Sequence, residues 1–292
     1  MTLREKFEIT LVIPAFNEEQ SLKEYLPVLM KSCQNNNWKA IIVNDGSTDN
    51  TKSILSGFVS NNFFSIINHK VNRGYGGALK SGILAAETEF VVTMDPDGQH
   101  RVEDVSVLLD FLKTNNADMV VGKREYDRNH YRTIGKKAIR FFARMLMKVP
   151  VEDLNSGMKI YRTELVKKYL KHCPDGMAFS DIITLLFIYN RHLVLETPVE
   201  LNKRKHGKST ISYRTAINTV YEILNIVLMF NPIKIFLPTG LVFILAGIAW
   251  GIPIALADKG ISVGASLSMS VGILIIFFGL LAEQISQIRK NL

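Results

Sequence analysis

The chain is 292 residues long, which leaves room for one globular domain of about 200 residues and a smaller second part. It carries 35 lysines and arginines against 27 aspartates and glutamates, a net charge of +8. The sequence has no zinc-ligand spacing, no basic region followed by heptads and no aromatic strand of the RNA-binding type, so nucleic acid is excluded as a partner. We expect the positive charge to face phosphates and lipid headgroups.

The N-terminal segment and the two cysteines indicate a reducing compartment. The first residues, MTLREKFEITLVIP, are charged and run directly into a strand-like segment, which is not the pattern of a signal peptide. Cys33 and Cys173 lie far apart and lack metal-ligand spacing, so we expect two reduced thiols. The sequence therefore predicts a main domain on the cytoplasmic side of a membrane.

Short β-branched and apolar runs recur along the first half of the chain and predict strands. They are Ile9–Ile13, Ala40–Val43, Ser65–Ile67, Phe90–Met94 and Met119–Val121. Each run is followed by a helical stretch or by a turn, a pattern typical of an α/β fold with a mostly parallel sheet covered on both faces. In such sheets the ligand binds beyond the carboxyl ends of the strands. We therefore expect the polar segments after these strands to line one cleft.

Polar residues follow each of the first three predicted strands. The first is followed by PAFNE (14–18), and the second by Asn44 and Asp45 in NDGSTD. Gly46 to Asp49 are typical of a turn that caps the next helix, whereas we expect Asp45 to bind a nucleotide base or ribose. The glycine-rich segment 72–78 differs from a dinucleotide fingerprint, because it follows the third strand rather than the first. We expect it to let a helix begin close to a ligand, with backbone amides available to phosphate or hydroxyl groups.

The segment DPDGQH (95–100) follows the fourth predicted strand. Asp95 and Asp97 are two carboxylates one residue apart, which suits a hard divalent cation that shares its shell with substrate phosphates. An Asp-x-Asp sequence is usually only a solvated turn, and its place at a strand end is what indicates a metal site. Gln99 is the preferred third ligand, because a lone histidine such as His100 is more often structural.

Two later segments carry further candidate residues. Residues 151–157 lie between two helical patterns and are predicted to form a loop, in which Asp153 either orients an acceptor, acts as a base or caps a helix. The segment KRKHGKS (203–209) places Arg204 and Lys208 just before the apolar tail. A charge run is usually a solvated surface, but here it lies where the phosphate of a membrane-embedded lipid would arrive.

The tail is predicted to form a transmembrane hairpin. Residues 235–257 and 261–282 contain no charged side chain, and each stretch is long enough to cross a bilayer as a helix. The polar turn Asp258-Lys259-Gly260 separates them. Positive charges precede the first span and follow the second, at Arg289 and Lys290, so both termini are predicted to be cytoplasmic. Residues 212–230 form an amphipathic pattern, which fits either a helix in the membrane interface or one packed on the main domain.

The ordered set of motifs resembles family-2 glycosyltransferases of the polyprenyl-phosphate type, which include dolichol-phosphate mannose and glucose synthases and bacterial undecaprenyl-phosphate relatives. The resemblance covers nearly the whole chain, through PAFNEE, NDGSTD, NRGYGGA, DPDGQH, DLNSGMKIYR, PDGMAFSD, KRKHGKS and GLLAEQISQI. It implies a GT-A fold, a doubly wound mixed sheet, at residues 1–210. It also implies an amphipathic juxtamembrane helix at 211–233 and a transmembrane hairpin at 234–292.

The resemblance also implies roles for individual residues. Pro14, Phe16, Glu18 and Asp45 match positions that hold the nucleoside, and Asp95, Asp97 and Gln99 match the metal and diphosphate site. Arg124 and Arg204 match basic positions near the diphosphate or the acceptor phosphate, and Asp153 matches a proposed base. The family often has a lysine directly after Gly-x-Ser, where this chain has Thr210, so Lys208 is expected to replace it.

The expected reaction is a metal-dependent, inverting transfer of one sugar from a UDP- or GDP-linked donor to a dolichyl or undecaprenyl phosphate. The expected cofactor is Mg²⁺ or Mn²⁺, and the expected partners are donor, lipid acceptor and membrane, with a homo-oligomer left open. A processive polysaccharide synthase is the first alternative, but its Gln-x-x-Arg-Trp motif is absent, since the only tryptophans are Trp38 and Trp250. A non-catalytic protein that binds sugar nucleotide or lipid is the second.

Overall fold

The structure is a computed structural model that describes residues 7–58, 62–124, 149–202, 228, 231–257 and 260–291. Contacts divide the chain into two compact units. The first comprises Met1–Arg132 with Val149–Ile211, and the second comprises Thr133–Lys148 with Ser212–Leu292. The amphipathic segment 212–230 lies outside the described residues, apart from Leu228.

Strands and helices alternate through the described part of the first unit. The strands are β1 (Ile9–Ala15), β2 (Lys39–Asn44), β3 (Phe64–Asn68), β4 (Phe90–Thr93), β5 (Met119–Arg124), β6 (Lys159–Arg162) and β7 (Val194–Val199). The helices are α1 (Glu19–Asn36), α2 (Thr51–Ser56), α3 (Tyr75–Ala85), α4 (Asp104–Thr114), α5 (Thr163–Tyr169) and α6 (Phe179–Tyr189). A single 3-10 turn, Leu170–His172, follows α5.

The described strands form one mixed sheet in the order β3-β2-β1-β4-β6-β5-β7. β6 runs antiparallel to both of its neighbours, and the remaining pairs are parallel. The five predicted strands and the mixed α/β fold are confirmed, whereas β6 and β7 were not predicted. The loop at 151–157 is also confirmed, but a strand follows it instead of a helix. The reason is that β6 is only four residues long and merges in sequence with the helical pattern of α5.

The core lies on both faces of the sheet. Every residue of β1 is buried, and its neighbours contribute further apolar side chains to the same cluster. Leu22, Leu26 and Leu29 of α1 recur at helical spacing and are fully buried. Burial of each such side chain is worth about 1.5–3 kcal/mol, so one apolar face is enough to hold a helix on the sheet. This packing fixes the strand ends from which the polar segments project.

The strand order of the sheet reverses between β1 and β4. β2 and β3 lie on one side of β1, and β4 lies on the other, which makes the carboxyl ends of β1 and β4 the place where a ligand crevice is expected. The ladder between these strands ends with Val12 opposite Thr93. Pro14 lies just beyond that point and has no N–H group to leave unpaired. The two strands can therefore diverge here without losing a hydrogen bond.

The described part of the second unit is a pair of apolar helices, α7 (Ile233–Leu256) and α8 (Val263–Asn291). Stretches of 24 and 26 residues, Ile233–Leu256 and Val263–Ile288, have mean hydropathies of 2.1 and 2.3 and are long enough to cross a membrane. The predicted spans 235–257 and 261–282 thus correspond to real helices, and the second helix continues further than predicted. Of the predicted turn, Gly260 is described and has a φ of 75°, which suits a glycine.

Glycines let α7 and α8 pack closely against each other. A Cβ at Gly240 would lie 2.7 Å from the carbonyl oxygen of Gly272, and a Cβ at Gly272 would lie 2.6 Å from that of Gly240. Ser268 on α8 also donates a hydrogen bond to the carbonyl of Phe243 on α7, at 2.8 Å. Small residues and hydroxyl groups are the usual means by which helices associate in lipid. The outer surface of the pair remains covered by large exposed apolar side chains.

Candidate active site

The sheet brings most of the predicted site residues to one edge. β1, β2, β4 and β5 end there, and the antiparallel β6 begins there. The segments at this edge carry Asp45, Asp95, Asp97, Arg124 and Asp153. Arg204 and Lys208 lie outside the described residues, so their predicted roles stay predictions.

Asp45 is buried and connects the end of β2 to the start of α3. Its Oδ1 accepts a hydrogen bond from the amide of Arg73 at 2.9 Å, and its Oδ2 accepts one from the amide of Gly74 at 2.8 Å. His69 Nδ1 lies 2.6 Å from Oδ1, while His69 Nε2 lies 2.9 Å from the hydroxyl of Ser81. The carboxylate therefore binds the two residues just before α3, at the end of the helix where negative charge is favoured by the helix dipole.

The glycine-rich segment has a different role from the expected one. The amide of Gly77 donates to the carbonyl of Asp175 at 3.0 Å, so this amide and those of Arg73 and Gly74 face protein acceptors. The expectation that they face a ligand is wrong for these three. The glycines are needed because the backbone of residues 174–176 crosses the start of α3, and a Cβ at Gly76 would lie 2.9 Å from the Gly176 carbonyl oxygen.

Asp95 is held from two sides. Its Oδ1 accepts a hydrogen bond from the hydroxyl of Tyr75 at 3.0 Å. A Cβ at Gly157 would lie 2.5 Å from the carboxylate carbon of Asp95, so only glycine leaves room for this side chain. Asp97 follows in the same turn, and its Oδ1 accepts a hydrogen bond from the amide of Gln99 at 3.1 Å. Both carboxylates are partly exposed at the sheet edge.

His100 lies beneath this turn and is almost completely buried. Burial, and then the positive charge of Arg124, lower the pKa of His100 to about 4, so the imidazole is neutral at physiological pH. Its Nε2 lies 3.9 Å from Asp95 Oδ2, which is too long for a hydrogen bond, and its Nδ1 has no hydrogen-bond partner in the part of the chain that the structure describes. The position is consistent with the structural role expected from the sequence.

The acidic pair fits a divalent cation that is shared with a substrate. Among the residues that the structure describes, no group of three His, Cys, Asp or Glu side chains could hold a metal alone. Asp95, Asp97 and Gln99 supply oxygen donors, the kind that Mg²⁺ and Mn²⁺ prefer. Mg²⁺ typically takes one or two carboxylates, several waters and the phosphates of its substrate. The donor set therefore suits a metal–diphosphate complex and not a closed metal cage.

Arg124 and Asp153 form a bidentate ion pair at the ends of β5 and the loop before β6. Arg124 Nε donates to Asp153 Oδ2 at 2.7 Å, and its terminal nitrogen donates to Oδ1 at 2.8 Å and to the carbonyl of Asn155. Only 6% of the Asp153 side chain is exposed. Both of its oxygens thus face a guanidinium group, a geometry that suits orienting a neighbour better than accepting a proton.

The residues predicted to hold a nucleoside lie along the end of β1. Pro14 is buried inside the strand, whereas Phe16 follows it with 46% of its surface exposed. Glu18 immediately precedes α1, and its side chain accepts a hydrogen bond from the Ser21 hydroxyl at 2.8 Å. The amide of Glu18 donates to Thr51, so this segment is joined to the turn after β2.

Three residues that support the site were not singled out from the sequence, namely Tyr75, Gly157 and Lys159. Tyr75 and Gly157 contact Asp95, and Lys159 lies under the loop that carries Asp153. Each belongs to a motif that carries the family resemblance, NRGYGGA or DLNSGMKIYR. That membership was the only signal in the sequence that could have found them.

A doubly wound mixed sheet with an acidic pair at its switch point, in a chain that also has an apolar helical hairpin, defines a membrane-attached nucleotide-sugar transferase. The chain belongs to glycosyl transferase family 2, whose model matches residues 10–170. A model of the GtrB C-terminal hairpin matches residues 231–288. The family resemblance that the motifs indicated is thereby confirmed.

Curated relatives match over most of their own length. The chain is 28% identical over 296 residues to an undecaprenyl-phosphate 4-deoxy-4-formamido-L-arabinose transferase of Pectobacterium carotovorum, which covers 96% of this chain and 88% of the relative. It is 29% identical over 226 residues to a dolichyl-phosphate beta-glucosyltransferase of Trichomonas vaginalis, covering 70% of this chain and 68% of the relative. These homologues are polyprenyl-phosphate sugar transferases by name.

A solved structure shares the fold of the first unit. Glucosyl-3-phosphoglycerate synthase of Mycobacterium tuberculosis, in complex with Mn²⁺, UDP-glucose and phosphoglyceric acid, aligns with a TM-score of 0.58. The alignment covers 75% of this chain and 79% of that chain at 18% sequence identity. At this identity the similarity establishes the GT-A fold and nothing about the substrate.

Proposed function

We propose that this protein transfers one sugar from a nucleotide-sugar to a polyprenyl phosphate at the cytoplasmic face of a membrane. The observation that carries the proposal is the similarity to an undecaprenyl-phosphate sugar transferase over 96% of this chain, including both the catalytic unit and the hairpin. The acidic pair at the end of β4 supports the transferase chemistry, because it provides oxygen donors where a diphosphate is expected to lie.

The donor would bind along the ends of β1, β2 and β4. Phe16, Glu18 and Asp45 are proposed to contact the nucleoside, and Pro14 to shape the strand end that carries them. Asp95, Asp97 and Gln99 are proposed to hold Mg²⁺ or Mn²⁺. When bound, such an ion neutralises the charge that develops on the departing nucleoside diphosphate. UDP-linked and GDP-linked sugars are both compatible with these residues.

The acceptor phosphate would attack the anomeric carbon from the face opposite the leaving group. A new bond forms between a phosphate oxygen and this carbon, while the bond to the diphosphate breaks and the nucleoside diphosphate takes the electron pair. A phosphate monoester is largely ionised at neutral pH, since its second pKa is about 6. The acceptor phosphate therefore does not need Asp153 as a base to remove a proton. This agrees with the ion pair between Asp153 and Arg124. Arg124, Arg204 and Lys208 are proposed to position the phosphate groups of donor and acceptor, and this positioning is proposed to provide most of the rate enhancement.

The test is a product assay on the full-length protein in detergent. Purified protein is incubated with undecaprenyl or dolichyl phosphate, Mg²⁺ or Mn²⁺ and a panel of sugar nucleotides, and the lipid is analysed by mass. We expect a lipid whose mass increases by one hexose or aminosugar unit. Transfer should stop in EDTA and in Asp97→Asn, which keeps the shape of the side chain. Binding of nucleotide or lipid without any new lipid product would contradict the proposal and favour a non-catalytic protein.

A further inference from the structure

The start of α3 contacts two carboxylates of the proposed donor site, those of Asp45 and Asp95. The amides of Arg73 and Gly74 donate to Asp45, and Tyr75, the next residue, donates its hydroxyl to Asp95 at 3.0 Å. Three consecutive residues thus connect the end of β2, where the nucleoside is proposed to bind, with the turn after β4, where the cation is proposed to bind. The two carboxylates are therefore not independent of each other.

This part of α3 is held rigidly by a neighbouring segment. The backbone of residues 174–176 packs directly on Gly74 and Gly76, where a Cβ would overlap its atoms. The carbonyl of Asp175 accepts the amide of Gly77 at 3.0 Å, and the carboxylate of Asp175 pairs with Lys80 at 2.7 Å. Contacts before and after Tyr75 therefore fix its backbone.

The Tyr75 hydroxyl is the donor in its contact with Asp95, because an ionised carboxylate only accepts hydrogen bonds. A hydroxyl that donates to a carboxylate forms a charge-assisted hydrogen bond. With Gly157 packed against the carboxylate carbon, this bond restricts the rotation of the Asp95 side chain.

We infer that Tyr75 is a positioning residue for the divalent cation: its hydroxyl orients the Asp95 carboxylate so that the cation lies at a fixed distance from the nucleoside site. The inference rests on the proposed function, and it identifies Tyr75 as a residue that determines the affinity of the site for the cation. Hydrogen bonds to metal-binding carboxylates orient the ligand before the ion arrives, and their loss typically weakens binding by about 10–100-fold.

Tyr75→Phe tests the inference in the full-length protein, because it removes one hydroxyl and keeps the ring. Mn²⁺ affinity is measured from the electron paramagnetic resonance signal of free Mn²⁺, with UDP or GDP present. We expect affinity to fall by about tenfold or more. The KM for Mn²⁺ should rise while kcat at saturating Mn²⁺ is retained, and nucleotide affinity in EDTA should not change. A general loss of structure would instead lower kcat and the nucleotide affinity in EDTA as well.

Tyr169→Phe is the matched control. It removes a hydroxyl that lies 2.8 Å from His192 Nε2, at the opposite edge of the sheet, and should leave Mn²⁺ affinity unchanged. Equal Mn²⁺ affinity in Tyr75→Phe and the unmodified protein would overturn the inference. So would Mn²⁺ binding that is insensitive to Asp95→Asn. If both binding tests succeed and no sugar is transferred, the proposed function fails while the positioning role of Tyr75 remains.

Discussion

Lys159, the first residue of β6, has no exposed surface although it carries an amino group. Its Nζ lies within hydrogen-bond distance of the carbonyls of Leu154 (2.6 Å) and Ser180 (2.5 Å) and of the Ser180 and Thr184 hydroxyls. Burial lowers the pKa of Lys159, while the charges of Asp181 and Asp153 oppose this shift. The residue therefore joins the loop that carries Asp153 to the start of α6, at the cost of burying a polar group.

Lys159→Met should destabilise the catalytic unit strongly. The substitution keeps the length of the side chain but leaves the Leu154 carbonyl without its donor in the interior. We expect a loss of about 3 kcal/mol, which lowers the melting temperature by roughly 6–12 °C. Lys167→Met is the control, since within the described residues Lys167 makes one hydrogen bond, to the carbonyl of Ala86, and its loss should cost about 1 kcal/mol. Thermal melting of both variants in detergent measures the difference, and equal melting temperatures would contradict this role.

The Arg124–Asp153 pair should act as one unit in catalysis. Because both carboxylate oxygens face the guanidinium group, loss of either partner disrupts the same arrangement. Arg124→Gln, Asp153→Asn and the double variant are compared by kcat/KM for the lipid acceptor. We expect a coupling energy of about 2 kcal/mol between the two substitutions. The kcat/KM of the double variant should therefore be only slightly lower than that of either single variant. Additive losses, together with a pH profile that shifts only in Asp153→Asn, would instead indicate that Asp153 is the base.

At the scale of elements, the contact between the 174–176 segment and α3 decides where the site residues of α3 lie. A Cβ at Gly76 would overlap this backbone, whereas a Cβ at Gly176 meets nothing within 4 Å. Gly76→Ala should therefore cost about 1–3 kcal/mol by overpacking and also reduce nucleotide affinity. Gly176→Ala is the control in the same contact and should change neither quantity. Melting temperature and nucleotide titration measure the two effects. An unchanged melting temperature and nucleotide affinity in Gly76→Ala would show that the backbone of residues 174–176 can shift to accommodate a Cβ.

The strands that were predicted from the sequence differ in kind from those that were not. β1, β2 and β5 contain buried runs of Val, Ile and Leu, which is the pattern of strands covered on both faces. β6 begins with Lys159 and has four residues, and β7 contains Glu196 and Pro198, so neither has such a run. Their strand conformation comes from pairing with distant neighbours, a tertiary effect that local propensity does not contain.

The sequence predicts which site residues lie at the ends of the strands. It does not predict which side chains pair with each other there. Asp45, Asp95 and Asp97 follow strands whose carboxyl ends share one edge, so their proximity follows from the topology. The pairing of Arg124 with Asp153 joins residues 29 positions apart, through the antiparallel return of β6. No periodic pattern in the sequence encodes such a contact, because it appears only after the chain is packed.

At the scale of the whole molecule, the charges that flank the hairpin predict how the chain is oriented in a bilayer. Only 11% and 17% of the apolar stretches in α7 and α8 are buried inside the protein, so most of their surface needs a nonpolar solvent. Positive residues flank the outer ends of the two spans, and the short connection between them carries one lysine and one aspartate. Positive charge is retained in the cytoplasm, which predicts that the connection faces the opposite side.

Single cysteines can report this orientation, because Cys33 and Cys173 are buried and should label slowly. Ile261→Cys lies in the connection, where 85% of the native side chain is exposed, and Lys290→Cys follows the second span. In intact bacterial cells a membrane-impermeant maleimide should label Ile261→Cys, and it should reach Lys290→Cys only after permeabilisation. The unmodified chain gives the background, and the reverse labelling pattern would contradict the prediction. A cytoplasmic Lys290 would place the ends of the hairpin on the side where nucleotide-sugars are made.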